Sequence, residues 1–135
     1  MMKIDGACHC RKITYEADVD PNEVEICHCT DCQTLSGSAF RIVVPVPEQD
    51  FRLLTGTPKI YTKVAESGAE RWQVFCPDCG TQIYATAAMS EPKVYGIRVG
   101  TVRQRHQLAP KRQYWCRSAM LWVENIGSLP RFERE

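Results

Sequence analysis

The sequence has 135 residues, 44% of them hydrophobic, and a formal net charge of +1. This length fits one domain with a modest apolar core, which we assign to residues 1–135. The near-neutral charge, with lysines and arginines scattered along the chain, argues against a nucleic-acid-binding protein, and no run of about 18 apolar residues is present that could span a membrane.

The eight cysteines indicate the compartment and the kind of chemistry. The first ten residues, MMKIDGACHC, hold no apolar segment typical of a secretory signal, so we expect a cytoplasmic protein. Disulfides are rare in a reducing compartment. The cysteines are therefore expected to be metal ligands or catalytic thiols.

Short apolar segments along the chain predict a mainly β protein. In chain order, strands are predicted at 12–17, 39–46, 51–54, 58–62, 71–76, 81–87, 94–100 and 114–123. Three of these segments alternate with period two, which buries Ile13, Tyr15 and Ala17 in the first, Trp72, Val74 and Cys76 in the second, and Tyr95, Ile97 and Val99 in the third. Only short helical turns are expected, at 30–35 with Thr30 as the cap and at 102–108.

The C-terminal part of the chain is predicted to pack against the sheet. The stretch Leu121–Val123 is apolar enough to dock there, whereas the charged end RFERE is expected to fray. The three tryptophans, Trp72, Trp115 and Trp122, are interpreted as core residues, and Cys116 as a buried core thiol.

Four cysteines are predicted to form a closed metal site. Cys76 and Cys79 belong to a C-P-D-C-G turn, in which Gly80 permits the positive φ that lets both sulfurs face one ion. Cys8 and Cys10 are two residues apart on an extended segment, so both sulfurs lie on one side of it. These two pairs together supply the four ligands of a structural zinc.

Three further cysteines, Cys27, Cys29 and Cys32, form C-H-C-T-D-C and are predicted to bind a second zinc. Three thiolates leave one position open, and a zinc centre of net charge −1 is a soft host for another sulfur ligand, such as a small thiol. Two alternatives remain at this point: His28 or Asp31 could close the site, or the trio could be a metal-free redox set. The division of seven ligands into four and three is also not forced by spacing alone.

Five segments carry a resemblance to a known family. GACHCRKITYEA, CHCTDCQTLSGSAF, LLTGTPKIYTK, RWQVFCPDCGTQIYA and the C-terminal pattern W-V-E-x-I-x-S-L-P-x-F follow in the order seen in the glutathione-dependent formaldehyde-activating enzyme and centromere protein V family. The resemblance covers nearly the whole chain. The sequence differs from the usual family pattern at Arg11, where the family commonly has glycine.

The resemblance implies a fold, two zinc ions and an activity. It implies a β-tent fold of twisted antiparallel sheets, a structural zinc on Cys8, Cys10, Cys76 and Cys79, and a second zinc on Cys27, Cys29 and Cys32, through which catalysis would occur. It also implies a carbon–sulfur lyase resembling S-(hydroxymethyl)glutathione synthase, which acts on glutathione and formaldehyde. A non-catalytic glutathione carrier or protein-binding scaffold is the alternative.

Glutathione is an anion, so its site is expected to offer a cation and polar donors near the second zinc. Arg41 follows the cysteine trio closely along the chain. Ser36 and Ser38 flank Gly37 in a tight turn that suits a carboxylate. We therefore expect Ser36, Ser38 and Arg41 to contact the substrate.

Overall fold

The computed structural model describes residues 1–65 and 67–135, which form two β-sheets and one short helix. The strands are β1 (Met2–Ala7), β2 (Thr14–Val19), β3 (Glu25–Cys27), β4 (Arg41–Pro47), β5 (Phe51–Thr55), β6 (Lys59–Val64), β7 (Glu70–Phe75), β8 (Gln82–Ala87), β9 (Val94–Arg98) and β10 (Arg112–Tyr114). The prediction of a mainly β protein is confirmed. None of the helices in the described part of the chain is long and apolar enough to cross a bilayer.

The two sheets differ in size. The smaller sheet has the order β1-β2-β5, and the larger has the order β10-β3-β4-β9-β8-β7-β6. Neighbouring strands are antiparallel, apart from the short parallel pairing of β10 with β3. Strand β5 is therefore an edge of the smaller sheet, while β10 and β6 are the two edges of the larger one.

The core confirms the period-two interpretation of the strands. Tyr15 and Ala17 on β2 are fully buried, and Ile13 just before it is almost so. Val74 and Cys76 are buried and Trp72 is partly so, while on the third segment Ile97 is buried and Tyr95 and Val99 are partly exposed. Burial of large aliphatic and aromatic side chains on one face holds each sheet in register.

The helix α1 (Thr30–Ser36) confirms the predicted helical turn. Its N-cap is Cys29 and not Thr30, because Cys29 has an extended backbone and its Sγ accepts the N–H of Cys32 at 3.3 Å. Gly37, at φ 66°, ends the helix in the left-handed region. The second predicted helical region, 102–108, holds a single 3-10 turn at Arg105–Gln107.

The strand and the burial predicted for the C-terminal part are wrong. The strand predicted over 114–123 stops at Tyr114, because Trp115 adopts a left-handed φ of 58° and turns the chain into 3-10 segments at Cys116–Ser118 and Leu121–Ser128. Cys116, Trp115, Leu121 and Trp122 are exposed instead of buried. An apolar run predicts side chains that would gain from burial, but it does not determine whether the same chain buries them.

Candidate metal centres and the arginine-lined cavity

Four cysteines from distant parts of the chain meet where the turns that follow β1 and β7 come together. The sulfurs of Cys8, Cys10, Cys76 and Cys79 all lie within 4.8 Å of one another. The Sγ atoms of Cys8 and Cys10 are 3.6 Å apart, and those of Cys10 and Cys76 are 3.8 Å apart. A zinc–sulfur bond of about 2.3 Å gives a tetrahedron with edges of about 3.8 Å, so this donor set fits a structural zinc.

Two tight turns position these sulfurs. In the first, the N–H of Cys8 donates to the carbonyl of Ile13 at 3.0 Å, and Arg11 lies in the left-handed region at φ 66°. In the second, the N–H of Cys76 donates to the carbonyl of Thr81 at 2.9 Å, and Gly80 has φ 77°. Each turn thus reverses the direction of the chain and places the sulfurs of its two cysteines on the same side of the turn.

Polar hydrogens surround the sulfurs of this first centre. The N–H of Ile13 donates to Cys8 Sγ at 3.3 Å. The hydroxyl of Thr81 accepts the N–H of His9 at 3.0 Å and lies 3.2 Å from Cys79 Sγ, so it can donate its hydrogen to a thiolate there. The Thr81 hydroxyl, helped by backbone donors, lowers the pKa of Cys79 to about 5. Such donors stabilise thiolate, the form that binds metal.

The other three cysteines form a separate cluster at the junction of β3 and α1. Cys27 ends β3, Cys29 caps α1 and Cys32 lies in its first turn, and their three sulfurs lie within 4.8 Å of one another. Burial raises the pKa of both Cys27 and Cys32. A cation held between these sulfurs would favour their thiolate forms, and thiolates are ligands that zinc accepts.

Neither side chain that could have closed this second site does so. His28 is buried beside Phe40, and its Nε2 is 2.7 Å from Oε1 of Gln113. Asp31 pairs with Lys63 at 2.5 Å. Within residues 1–65 and 67–135, no other histidine, cysteine or carboxylate joins the trio. The trio therefore offers a metal three protein ligands.

The trio opens onto a cavity of about 940 Å³ that is rich in cations. Its lining includes Arg41, Arg71, Arg98 and Arg117, with Trp115 at one side. A volume near the upper end of the common range of small-molecule sites, about 300–1,000 Å³, accommodates a ligand of tripeptide size.

Two of these arginines are buried without a carboxylate. Arg41 is 7% exposed and Arg98 is 8% exposed, and both donate to Oε1 of Gln73, at 3.3 and 3.1 Å. The Nε of each has no hydrogen-bond partner, and neither arginine forms an ion pair with any described residue. Burial, reinforced by the charge of Arg41, lowers the pKa of Arg98 to about 9.

The predicted substrate residues divide between two cavities. Arg41 lines the 940 Å³ cavity onto which the cysteine trio opens. Ser36 and Ser38 line a neighbouring cavity of about 1030 Å³, which Arg41 and Arg98 also line. Within α1 and its turn, the Ser36 hydroxyl lies within reach of the Gln33 and Phe40 carbonyls, at 3.4 and 3.5 Å. Arg41 therefore lines both cavities, whereas the two serines line only the one onto which the trio does not open.

Sequence reasoning missed Arg98 and Gln73. Each is a polar residue inside an otherwise apolar strand segment, IRV and WQV, and this is the one sequence signal that could have indicated them. The signal is weak because a strand normally exposes alternate polar residues to water. Their meeting depends on pairing β4, β9, β8 and β7 in that order.

Comparison with known proteins agrees with this arrangement. Residues 3–118 match the family model described as glutathione-dependent formaldehyde-activating enzyme. A curated relative from Schizosaccharomyces pombe, named as an uncharacterized lyase, is 26% identical over 84 residues, which are 62% of this chain and 58% of the relative. The matched part of the chain thus spans less than two thirds of that relative's length.

A similar solved structure supports the fold. A crystal structure of a Rhodobacter sphaeroides protein superposes with a TM-score of 0.62 and 21% identity, covering 81% of this chain and 98% of that one. At this identity the likeness concerns the fold alone. Since the family model covers most of the sequence, the chain belongs to the glutathione-dependent formaldehyde-activating enzyme family.

Proposed function

We propose that this protein is a lyase-type enzyme that forms or breaks the carbon–sulfur bond between a small anionic thiol, such as glutathione, and an aldehyde, such as formaldehyde. The observation that carries the proposal is the position of two buried arginines without carboxylate partners beside three clustered thiols in one cavity. The free cysteines fit a reducing compartment, and we place the protein in the cytoplasm.

The cysteines have two separate roles in this proposal. Cys8, Cys10, Cys76 and Cys79 would hold a structural zinc, and Cys27, Cys29 and Cys32 a second one. When bound to three thiolates, the second zinc would offer an open position to a fourth sulfur and would favour its thiolate form.

Arg41 and Arg98 would attract and orient the anionic thiol. A buried cation with no counter-ion has a large unmet electrostatic demand, which an incoming carboxylate or thiolate satisfies. Gln73 holds both guanidinium groups at one point while leaving their charge uncompensated, since its Oε1 is neutral. The cavity is thus organised for an anion before any ligand enters.

The reaction balances without an oxidant or reductant. The thiol sulfur bonds to the aldehyde carbon, the carbonyl π bond breaks, and the thiol proton ends on the new hydroxyl group. The residues around the cavity would contribute by holding the thiolate and the aldehyde close together, which lowers the entropic part of the barrier.

Calorimetry with three compounds tests the binding part. Glutathione has the thiol and the carboxylates, S-methylglutathione keeps only the carboxylates, and 2-mercaptoethanol keeps only the thiol. We expect glutathione to bind most tightly to the zinc-loaded protein and to lose at least about tenfold in affinity on Arg98→Met, since a charge-assisted hydrogen bond contributes about 1.5–3 kcal/mol. Equal affinity for glutathione and 2-mercaptoethanol would contradict the role of the arginines.

A rate measurement tests the catalytic part of the proposal. NMR exchange spectroscopy of glutathione with formaldehyde gives the rate of adduct formation and breakdown with and without the enzyme. We expect the zinc-loaded wild type to accelerate exchange and Cys29→Ser to lose the acceleration. Tight binding with no acceleration would contradict the lyase and leave a glutathione carrier in its place.

A further inference from the structure

The segment 115–118 follows β10 and is held at both ends by residues next to the cysteine trio. The N–H of His28, which lies between two of the three cysteines in the sequence, donates to the carbonyl of Tyr114 at 3.0 Å. Nε2 of Gln33, which follows the third cysteine, donates to the carbonyl of Ser118 at 3.0 Å. These two hydrogen bonds keep the segment beside the three thiols.

Trp115 and Arg117 of this segment line the cavity onto which the trio opens. Trp115 has a φ of 58°, which is unfavourable for a residue with a Cβ and is a kind of strain that occurs often at ligand sites. The guanidinium carbon of Arg117 lies 4.9 Å from the centroid of the Trp115 ring, within the range of a cation–π contact. The ring thus holds one cation at the border of the cavity.

The arginines of this cavity lie at two depths. Arg41 and Arg98 are buried, whereas Arg71 and Arg117 are exposed at the rim. None of the four forms an ion pair with any residue that the structure describes. A ligand with one carboxylate could pair with the buried arginines only, whereas a ligand with two could pair with arginines at both depths.

We infer that Arg117, held against the ring of Trp115, is a specificity residue that binds a second carboxylate of the thiol substrate. This inference rests on the proposed function and narrows its substrate class to thiols with two carboxylates. Glutathione belongs to this class, because its carboxylates lie at the two ends of the molecule and its thiol lies between them. One carboxylate would pair with Arg41 and Arg98 while the sulfur meets the trio, and the other would reach Arg117.

Arg117 is better prepared for this role than Arg71, the other exposed arginine of the rim. The contact with the Trp115 ring orients the guanidinium group before a ligand arrives. A side chain that is already oriented loses less rotamer freedom when it binds.

Calorimetry with two thiols tests the inference on the zinc-loaded protein. Glutathione has two carboxylates and one ammonium group, and 3-mercaptopropionate has a single carboxylate, so both have the same net charge and respond alike to the general field of the cavity. Arg117→Gln should weaken glutathione binding at least about threefold, as expected for an ion pair near the surface, and leave 3-mercaptopropionate binding unchanged. Arg71→Gln is the matched control: it removes the same charge from the same rim and should not change the ratio of the two affinities.

The outcomes separate this inference from the proposed function. An affinity ratio in Arg117→Gln equal to that of the wild type, or an equal change of the ratio in Arg71→Gln, would overturn the role of Arg117 and leave the proposed function intact. A wild type that binds neither thiol would contradict the proposed function and the inference together.

Two substitutions test Trp115 as the positioning residue. Trp115→Leu removes the ring and should weaken glutathione binding about as much as Arg117→Gln does, again without an effect on 3-mercaptopropionate. Trp115→Phe keeps an aromatic face and should retain most of the affinity for glutathione. Both side chains are exposed, so circular dichroism should be unchanged in all these variants. Wild-type affinity for glutathione in Trp115→Leu would contradict the role of the ring.

Discussion

The guanidinium groups of Arg41 and Arg98 meet at one acceptor, Oε1 of Gln73, at distances of 3.3 and 3.1 Å. Two like charges are thereby held together in a buried position, although each disfavours the other. Such an arrangement costs stability in the free protein. An anion that binds to both arginines would offset this repulsion, so the pair couples folding stability to ligand affinity.

Gln73→Glu should change folding stability and ligand affinity in opposite directions. The substitution changes one neutral group into a carboxylate of nearly the same shape, which pairs with both arginines. We expect the free energy of unfolding to rise by about 1–2 kcal/mol and glutathione affinity to fall at least about tenfold, because the internal carboxylate replaces the ligand's anion. Urea unfolding and calorimetry measure the two quantities.

Gln49→Glu is the charge-matched control for this prediction. Gln49 is exposed on the turn before β5, so the same charge change there should alter neither stability nor affinity appreciably. If Gln73→Glu binds glutathione as tightly as wild type, the arginine pair does not recognise the anion.

Arg11→Gly should stabilise the first cysteine turn. Arg11 has a φ of 66°, which costs a residue with a Cβ about 1–2 kcal/mol, whereas glycine adopts it freely. After the greater flexibility of glycine in the unfolded chain is subtracted, we expect a net gain of about 0.5–1 kcal/mol in urea unfolding. Arg11→Ala keeps the backbone strain and should match wild type within error. A gain with alanine equal to that with glycine would attribute the effect to the arginine side chain instead.

Gly80→Ala should destabilise the second cysteine turn. A Cβ at Gly80 would meet no atom within 4 Å, so a steric clash cannot contribute, but its φ of 77° is unfavourable for alanine. The expected loss is about 1 kcal/mol of unfolding free energy. Gly127→Ala, also free of neighbours and without a positive φ, should change stability much less.

The two cysteine clusters should respond differently to serine substitution. The first cluster joins residues 8–10 to residues 76–79, and a structural zinc contributes on the order of 10 kcal/mol, as much as the whole stability of a small domain. Cys10→Ser should therefore yield unfolded or insoluble protein. Cys29→Ser should stay folded and lose one of two zinc ions, because its cluster spans only residues 27–32. Metal analysis and circular dichroism of both variants test this, and loss of both zinc ions in a folded Cys29→Ser would contradict it.

Gly6→Ala should destabilise the smaller sheet. A Cβ there would lie 2.3 Å from the Tyr15 ring and 2.5 Å from the Thr101 carbonyl oxygen. Tyr15 cannot move aside, because it is fully buried and its hydroxyl is 2.6 Å from Thr101 Oγ1. We expect a loss of about 2–3 kcal/mol in thermal or urea unfolding. Gly100→Ala, with open space around it, should cost far less.

Much of the fold follows from local patterns in the sequence. Alternation placed Ile13, Tyr15 and Ala17 in the core, and the residues after Cys29 formed the expected short helix. These features depend on neighbours along the chain, so a single sequence contains the information. The predicted C-terminal strand is wrong because the chain turns at Trp115, which has a left-handed backbone. A tryptophan in the sequence gives no indication of such a conformation.

The sequence by itself determined three local cysteine motifs, since the spacings within C-x-C, C-x-C-x-x-C and C-P-D-C-G bring the sulfurs of each motif together through local backbone geometry. The tertiary structure joined Cys8 and Cys10 to Cys76 and Cys79. Only the tertiary structure decided what surrounds the three-cysteine cluster. Arg41, Gln73 and Arg98 come from three strands whose contact depends on sheet order, and Ser36 and Ser38 face another cavity although they are close to the trio in sequence. The physical reason is that short-range spacing fixes the geometry within one cysteine motif, whereas the meeting of two motifs and the charge of a cavity depend on pairing between strands far apart in the chain.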